Sequence, residues 1–298
     1  MSKGSQVFKS LIPPVFLIVL QVVAYIFIST WSAVVFIYSS HFTSMHDFQN
    51  KLVNFATKVE SSGVAFILYS VIGILVFGFM IKAIKANGNY GYSFKASALR
   101  GWMIPVLLLL SLAVQAVTEY VMNFTIIIMP NAGQEYLDLM EQAGLAGDDI
   151  SLIMLIYAGL LGPIVEELAF RGLSFRYLRG AFGFWTANII QAAMFGFFHM
   201  NLIQGIYTFV VGLILGYLAE KSGNITICIV FHIFFNTIAG YITILLEKTY
   251  INPFVYGLSL LLSLCVTYLG LIIFSNIVTK WKGQRIDHLV SDDDILNR

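Results

Sequence analysis

Between residues 162 and 236 the chain carries side chains able to do hydrolytic chemistry, in surroundings that are almost continuously apolar. The stretch reads GPIVEELAFRG from Gly162, FGFFH ending at His199, and HIFFN from His232 to Asn236. Ionisable groups inside a membrane are costly and point to function by default. Glu166 and Glu167 are consecutive, so on a helix they project about 100° apart and must serve different purposes. Arg171 follows Glu167 by four residues, the favourable order and spacing for a helical ion pair. Paired in this way, Glu167 stays ionised as a site-shaping group. Glu166 has no such local partner, and apolar surroundings make a carboxylate a stronger base. Glu166 is therefore the candidate general base.

The chain has five histidines: His41, His46, His199, His232 and His288. Only His199 and His232 fall in apolar runs. A lone histidine there is ordinarily an interhelical hydrogen-bond donor, but two of them beside a glutamate pair suggest catalysis. His232 and Asn236 are four apart and share one helical face. An imidazole and a carboxamide side by side can donate to a single oxygen, which is what an oxyanion hole requires. Phe195, four before His199, is placed to wall the site against lipid. Glutamate with two histidines is also a zinc set, but HExxH is absent and the histidines sit on different segments. Zinc is the minor alternative, and no cofactor is expected. No Gly-x-Ser-x-Gly elbow, membrane aspartate pair or Walker-type loop is present.

These residues need a membrane scaffold, and the composition supplies one. Of 298 residues, 58% are hydrophobic and 11% charged, where a soluble domain has about a quarter charged. Apolar runs near twenty residues long recur, the length that crosses a bilayer. Eight can be drawn, over about 11–38, 64–84, 102–129, from 150, 184–199, 202–219, 225–246 and 254–278. The fold class is an all-α polytopic membrane protein with eight transmembrane helices and a catalytic cavity within helices 4–7. Pro13 and Pro14 fall in the opening turn of the first run, a tolerated position. Lys3 and Lys9 precede that run, which is too long for a signal-peptide core and reads as a retained helix. Pro130–Gly133 breaks the third run, and an acidic connector follows. Gly196, Gly205, Gly212 and Gly216 allow helices to approach closely. Cys228 and Cys265 lie in apolar runs as small hydrophobes rather than a disulfide.

Charge placement gives orientation. With eight crossings and the N-terminus inside, 14 of the 17 Lys and Arg fall on one side. Only Lys51, Lys58 and Lys248 fall on the other, which also receives the acidic connector. Basic residues gather on the cytoplasmic side, so both termini are expected there, in a plasma-membrane protein. The basic residues stand singly at helix ends, which argues against a nucleic-acid partner. For Glu166 to meet His199, the fourth helix must continue to about Arg179. That buries the Arg171–Glu167 pair, leaves Arg176 and Arg179 at the interface, and opens the cavity toward the cytoplasm.

The three motifs together resemble the CAAX protease and bacteriocin-processing (Abi) family, whose eukaryotic branch is the Ras-converting CAAX endopeptidase. The family pattern E-E-x-x-x-R is met by Glu166–Arg171, F-x-x-x-H by Phe195–His199 and H-x-x-x-N by His232–Asn236. The resemblance covers about 150–246; the flanking helices match only in being hydrophobic. It implies a glutamate-type intramembrane endopeptidase. Glu166 with His199 would activate water, His232 with Asn236 would hold the oxyanion, and Glu167 and Arg171 would shape the site. Older descriptions of the family as metalloproteases keep zinc as an alternative. The organisation expected is an N-terminal membrane region over 1–149, a catalytic core over 150–246 and a C-terminal helix and tail over 247–298. The partners expected are membrane lipid and a peptide or lipidated-protein substrate, such as a leader, bacteriocin, signalling-peptide or CAAX-type substrate. A non-catalytic scaffold or bacteriocin self-immunity protein is the alternative class. A proton-coupled transporter would also bury Glu and His, but would need paired broken helices.

Overall fold

A computed structural model of the chain describes residues 2–41, 43–56, 60–86, 99–146, 151–247 and 252–296. Lys58, Lys95, Lys248 and Arg298 from the charge count, and the 149/150 boundary, lie outside the described residues. The helices are α1 (Lys3–Ser39), α2 (Met45–Ala56), α3 (Glu60–Ala86), α4 (Met103–Ile128), α5 (Pro130–Gln142), α6 (Leu152–Ala181), α7 (Phe184–Phe198), α8 (Leu202–Ser222), α9 (Ile225–Glu247) and α10 (Pro253–Leu296). No strand occurs among the described residues. Six of these helices (α1, α3, α4, α6, α8 and α10) are long and apolar enough to cross a membrane. α7 and the Ile225–Ala239 part of α9 are shorter apolar helices. The chain is an all-α polytopic membrane protein, with apolar helices at the eight expected places.

Two expectations need correction. Ser2 caps α1, accepting from the Ser5 N–H at 3.3 Å, so the helix starts at Lys3. Pro13 and Pro14 therefore lie about three turns inside it rather than in its opening turn. Both rings are buried, and the carbonyls they deprive of donors are a local cost of the helix. Second, the acidic connector is largely a helix. Met129 alone separates α4 from α5, and Pro130 opens α5, where its missing N–H costs nothing. α5 then packs on α4 and α8. The connector between α1 and α3 likewise forms α2, with the Asp47 N–H donating to Ser44 Oγ at 3.1 Å. The Thr43 N–H and the Lys51 ammonium both donate to the Asp47 carboxylate and hold its pKa below the ordinary range.

α6 is the hub, packed against α1, α3, α7, α8 and α9. It runs on to Ala181, as the meeting of Glu166 and His199 requires. Its end is held by Arg179, whose Nε and Nη2 donate to the Glu220 carboxylate at 3.0 and 2.9 Å and whose Nη1 donates to Phe182 O at 2.9 Å. Two wide turns interrupt it, over Tyr157–Leu161 and Leu168–Ser174. In the first, the Gly162 N–H reaches five residues back to Tyr157 O. In the second, the Phe175 N–H reaches back to Phe170 O. Such turns recur at functional sites because they re-aim side chains without ending the helix. Here they bracket Glu166 and Glu167.

α7 and α8 form the most intimate pair. A Cβ at Gly196 would stand 2.6 Å from Gly205 O, and one at Gly216 would collide with Asn188 Oδ1. The turn between them is made by Met200, in the left-handed region at φ 54°, which costs about 1–3 kcal/mol. Asn201 then caps α8 by accepting from the Gln204 N–H at 3.0 Å. Cys228 and Cys265 are both free. Gly216→Val should lower the thermal midpoint in detergent, with a cost of about 1–3 kcal/mol from overpacking. An unchanged midpoint would contradict the close α7–α8 approach.

Candidate active site

The site grows from one buried oxygen. Arg171, one turn after Glu167 on α6, donates from Nη1 to Glu167 Oε1 at 2.8 Å, with neither side chain exposed at all. His232, from α9, places Nδ1 2.9 Å from the same oxygen. A carboxylate only accepts, so Nδ1 carries the proton. The guanidinium reaches further, to Gly212 O on α8 at 3.4 Å. Gln191 donates to that carbonyl at 2.8 Å and to Asn188 Oδ1 at 2.8 Å. Glu167 and Arg171 thus form a buried pair braced from α8 and α9.

Glu166 points elsewhere, as consecutive helical positions must. Its Oε2 lies 3.9 Å from His232 Nε2, within ion-pair range but beyond a hydrogen bond. Tyr69 and Tyr157 stand near enough to interact with its charge. Their hydroxyls are 2.7 Å apart, and Phe66 stacks on Tyr157 at 4.7 Å. His199, the residue that ends α7, also interacts electrostatically with Glu166. Its Nδ1 is 2.8 Å from Phe195 O. A carbonyl only accepts, so Nδ1 is the protonated nitrogen and Nε2 of the neutral ring keeps a lone pair. The two histidines are therefore set differently. His199 rests on a neutral acceptor and offers a basic nitrogen. His232 rests on a carboxylate through Nδ1 and turns Nε2 toward Glu166.

Phe195 is buried against the site, its ring 4.5 Å under Arg171 Cζ, 4.9 Å from the His199 ring and 5.8 Å from the His232 ring. The ring face attracts the guanidinium, and Phe170 meets its edge at 5.0 Å. The exposed neighbour on α7 is Phe197. Asn236 sits one turn beyond His232, but its Nδ2 donates to Ala158 O at 2.7 Å. One of its two N–H bonds is thus engaged within the protein.

Glu166, Glu167, Arg171, Phe195, His199, His232 and Asn236 all lie on α6, α7 and α9. Tyr69, Tyr157, Asn188 and Gln191 were missed. Tyr69 and Tyr157 are 88 residues apart, and neither belongs to a motif; only the polar Asn188 and Gln191 within an apolar helix gave a signal. Among the described residues no group of three His, Cys, Asp or Glu could hold a metal ion. Glu167 Oε1 already accepts from the Arg171 guanidinium and from His232 Nδ1.

Residues 148–238, from the start of α6 into α9, match the family model described as type II CAAX prenyl endopeptidase Rce1-like. A Bacillus subtilis (strain 168) protein, YdiL, provisionally named a membrane peptidase, is 29% identical over 85 residues, or 28% of this chain. The match spans 35% of that relative's own length. No solved structure matches the chain.

Breaking the buried pair tests this geometry. Arg171→Met should destabilise by about 3–5 kcal/mol, because Glu167 is left as a buried charge without its cation. Adding Glu167→Leu should recover much of that loss. Thermal unfolding of the single and double variants measures it, and a double variant no better than the single would deny the pairing.

Proposed function

We propose, from a stretch of the CAAX protease and bacteriocin-processing family seated at the hub helix of a polytopic membrane protein, that the chain is a glutamate-type intramembrane endopeptidase. Its substrates are membrane-associated peptides or lipidated proteins. The observation that carries the proposal is the different fate of two adjacent carboxylates. Glu167 is locked between Arg171 and His232. Glu166 has no side-chain atom in hydrogen-bond contact among the described residues and faces the electrostatic field of His199 and His232.

Glu166, assisted by His199 Nε2, removes a proton from a water molecule while the water oxygen attacks the scissile carbonyl carbon. The carbonyl becomes an oxyanion, which accepts from His232 Nε2–H and from the second N–H of Asn236. Losing one such donor costs about 10²–10³ in rate elsewhere. For His232 to donate from Nε2 it must be an imidazolium, since Nδ1 already donates to Glu167. With Glu166 and Glu167 anionic and Arg171 cationic, that proton brings the group to neutrality. The C–N bond then breaks, and the proton held by Glu166 and His199 passes to the leaving amine. The hydroxyl proton of the new acid follows it, so that a carboxylate and an ammonium result, and no step passes through a metal.

The setting proposed is the plasma membrane, with both termini cytoplasmic and the site opening to that side. Cleavage of membrane-associated candidate peptides by purified protein tests the proposal. Glu166→Gln and His199→Ala should each lower kcat by about 10²–10⁴, and a strong chelator should change nothing. Full activity in Glu166→Gln would overturn the mechanism. Loss with chelator that zinc restores would turn the same residues toward metal chemistry. No cleavage of any candidate would favour a scaffold or immunity role.

A further inference from the structure

Ala158, in the first wide turn of α6, has a carbonyl that is denied both of the donors a helix would ordinarily offer it. In an α-helix it would accept from residue 162, but the Gly162 N–H goes one residue further back, to Tyr157 O. The next N–H in that wide register would come from residue 163, and residue 163 is proline. An unmet carbonyl in apolar surroundings carries a substantial desolvation penalty. Asn236 of α9 supplies the donor, with Nδ2 2.7 Å from Ala158 O. The donor that Pro163 lacks is thus provided by a side chain 78 positions after Ala158 in the chain.

We infer that Pro163 is a positioning residue that acts through Asn236. By leaving Ala158 O without a helical donor, it anchors one N–H of the Asn236 carboxamide. The carboxamide is planar, so fixing one N–H fixes the direction of the other. Under the endopeptidase reading, on which this half of the inference rests, that second N–H is the one presented to the oxyanion. The wide turn is therefore coupled to the donor across two helices, and a proline three residues before Glu166 sets the orientation of a group on α9. The same anchor ties α9 to α6 one helical turn from the His232–Glu167 contact, so both α9 side chains are held to the hub.

A thermal double-mutant cycle on the purified full chain in detergent tests the anchor without any need for activity. Asn236→Ala in the wild-type background leaves Ala158 O unmet and should lower the midpoint by about 2–4 °C or more. In a Pro163→Ala background residue 163 has an N–H of its own, and Asn236→Ala should then cost less than half as much. The unfolded-state effect of removing proline cancels, because it is present on both arms of the comparison. Pro163→Ser restores the same N–H and serves where Pro163→Ala does not fold. An equal drop in both backgrounds would overturn the anchor. The kinetic arm separates positioning from mere stability: Pro163→Ala should lower kcat about tenfold with KM unchanged, because the carboxamide loses its fixed plane. Wild-type kcat in Pro163→Ala would overturn the positioning role. A wild-type chain that cleaves no peptide would remove the endopeptidase reading, while the thermal cycle would still decide the anchor.

Discussion

One oxygen, Glu167 Oε1, is the constraint on which the rest of the structure depends. It accepts from Arg171 and His232 at once, with all three groups buried among apolar helices. Neither charge is tolerable alone in such surroundings, and it is their pairing that makes both tolerable, with Glu167 Oε2 and Arg171 Nε left without a hydrogen-bond partner among the described residues. Hence Gly212 O lies under the guanidinium, Phe195 lies against its face, and α9 is drawn in until His232 reaches the carboxylate. Four helices meet at that point. Their packing is a consequence of neutralising one carboxylate as much as of hydrophobic contact.

The same arrangement explains why the neighbouring carboxylate can behave differently. Glu166 is one residue away and shares the helix, yet it faces the tyrosine pair and the two imidazoles. The wide turns before and after the pair let one helix present both groups in different environments while continuing to Ala181. Regular α geometry would have met Ala158 O from within the helix and left Asn236 with no fixed partner. Irregular backbone inside a membrane survives where another helix completes its hydrogen bonds, and α9 does that here.

Much of this was legible in the sequence because it is local. The Glu167–Arg171 pair follows from four-residue spacing, and the close α7–α8 contact follows from their glycines. The continuation of the hub helix past Arg171 followed from requiring Glu166 and His199 to meet. The contacts that give the site its asymmetry are not local. His232 and Glu167 are 65 positions apart, and Tyr69 and Tyr157 are 88 apart. The contacts of Phe195 with Arg171 and both imidazoles were not legible, since spacing from His199 does not say which neighbour a ring meets. The start of α1 was misjudged because a serine cap outweighs a pair of prolines as a boundary, and α2 and α5 were hidden by the polarity that makes them surface helices.

α7 has 15 residues, a rise of about 22 Å, whereas the hydrocarbon core of a bilayer is about 30 Å thick. His199 stands at its end. A helix of that length reaches from one face to the other only where the bilayer thins or where water follows the turn at Met200 and Asn201 inward. Bilayer thickness is thus a variable that bears directly on the surroundings of the residue that ends the helix.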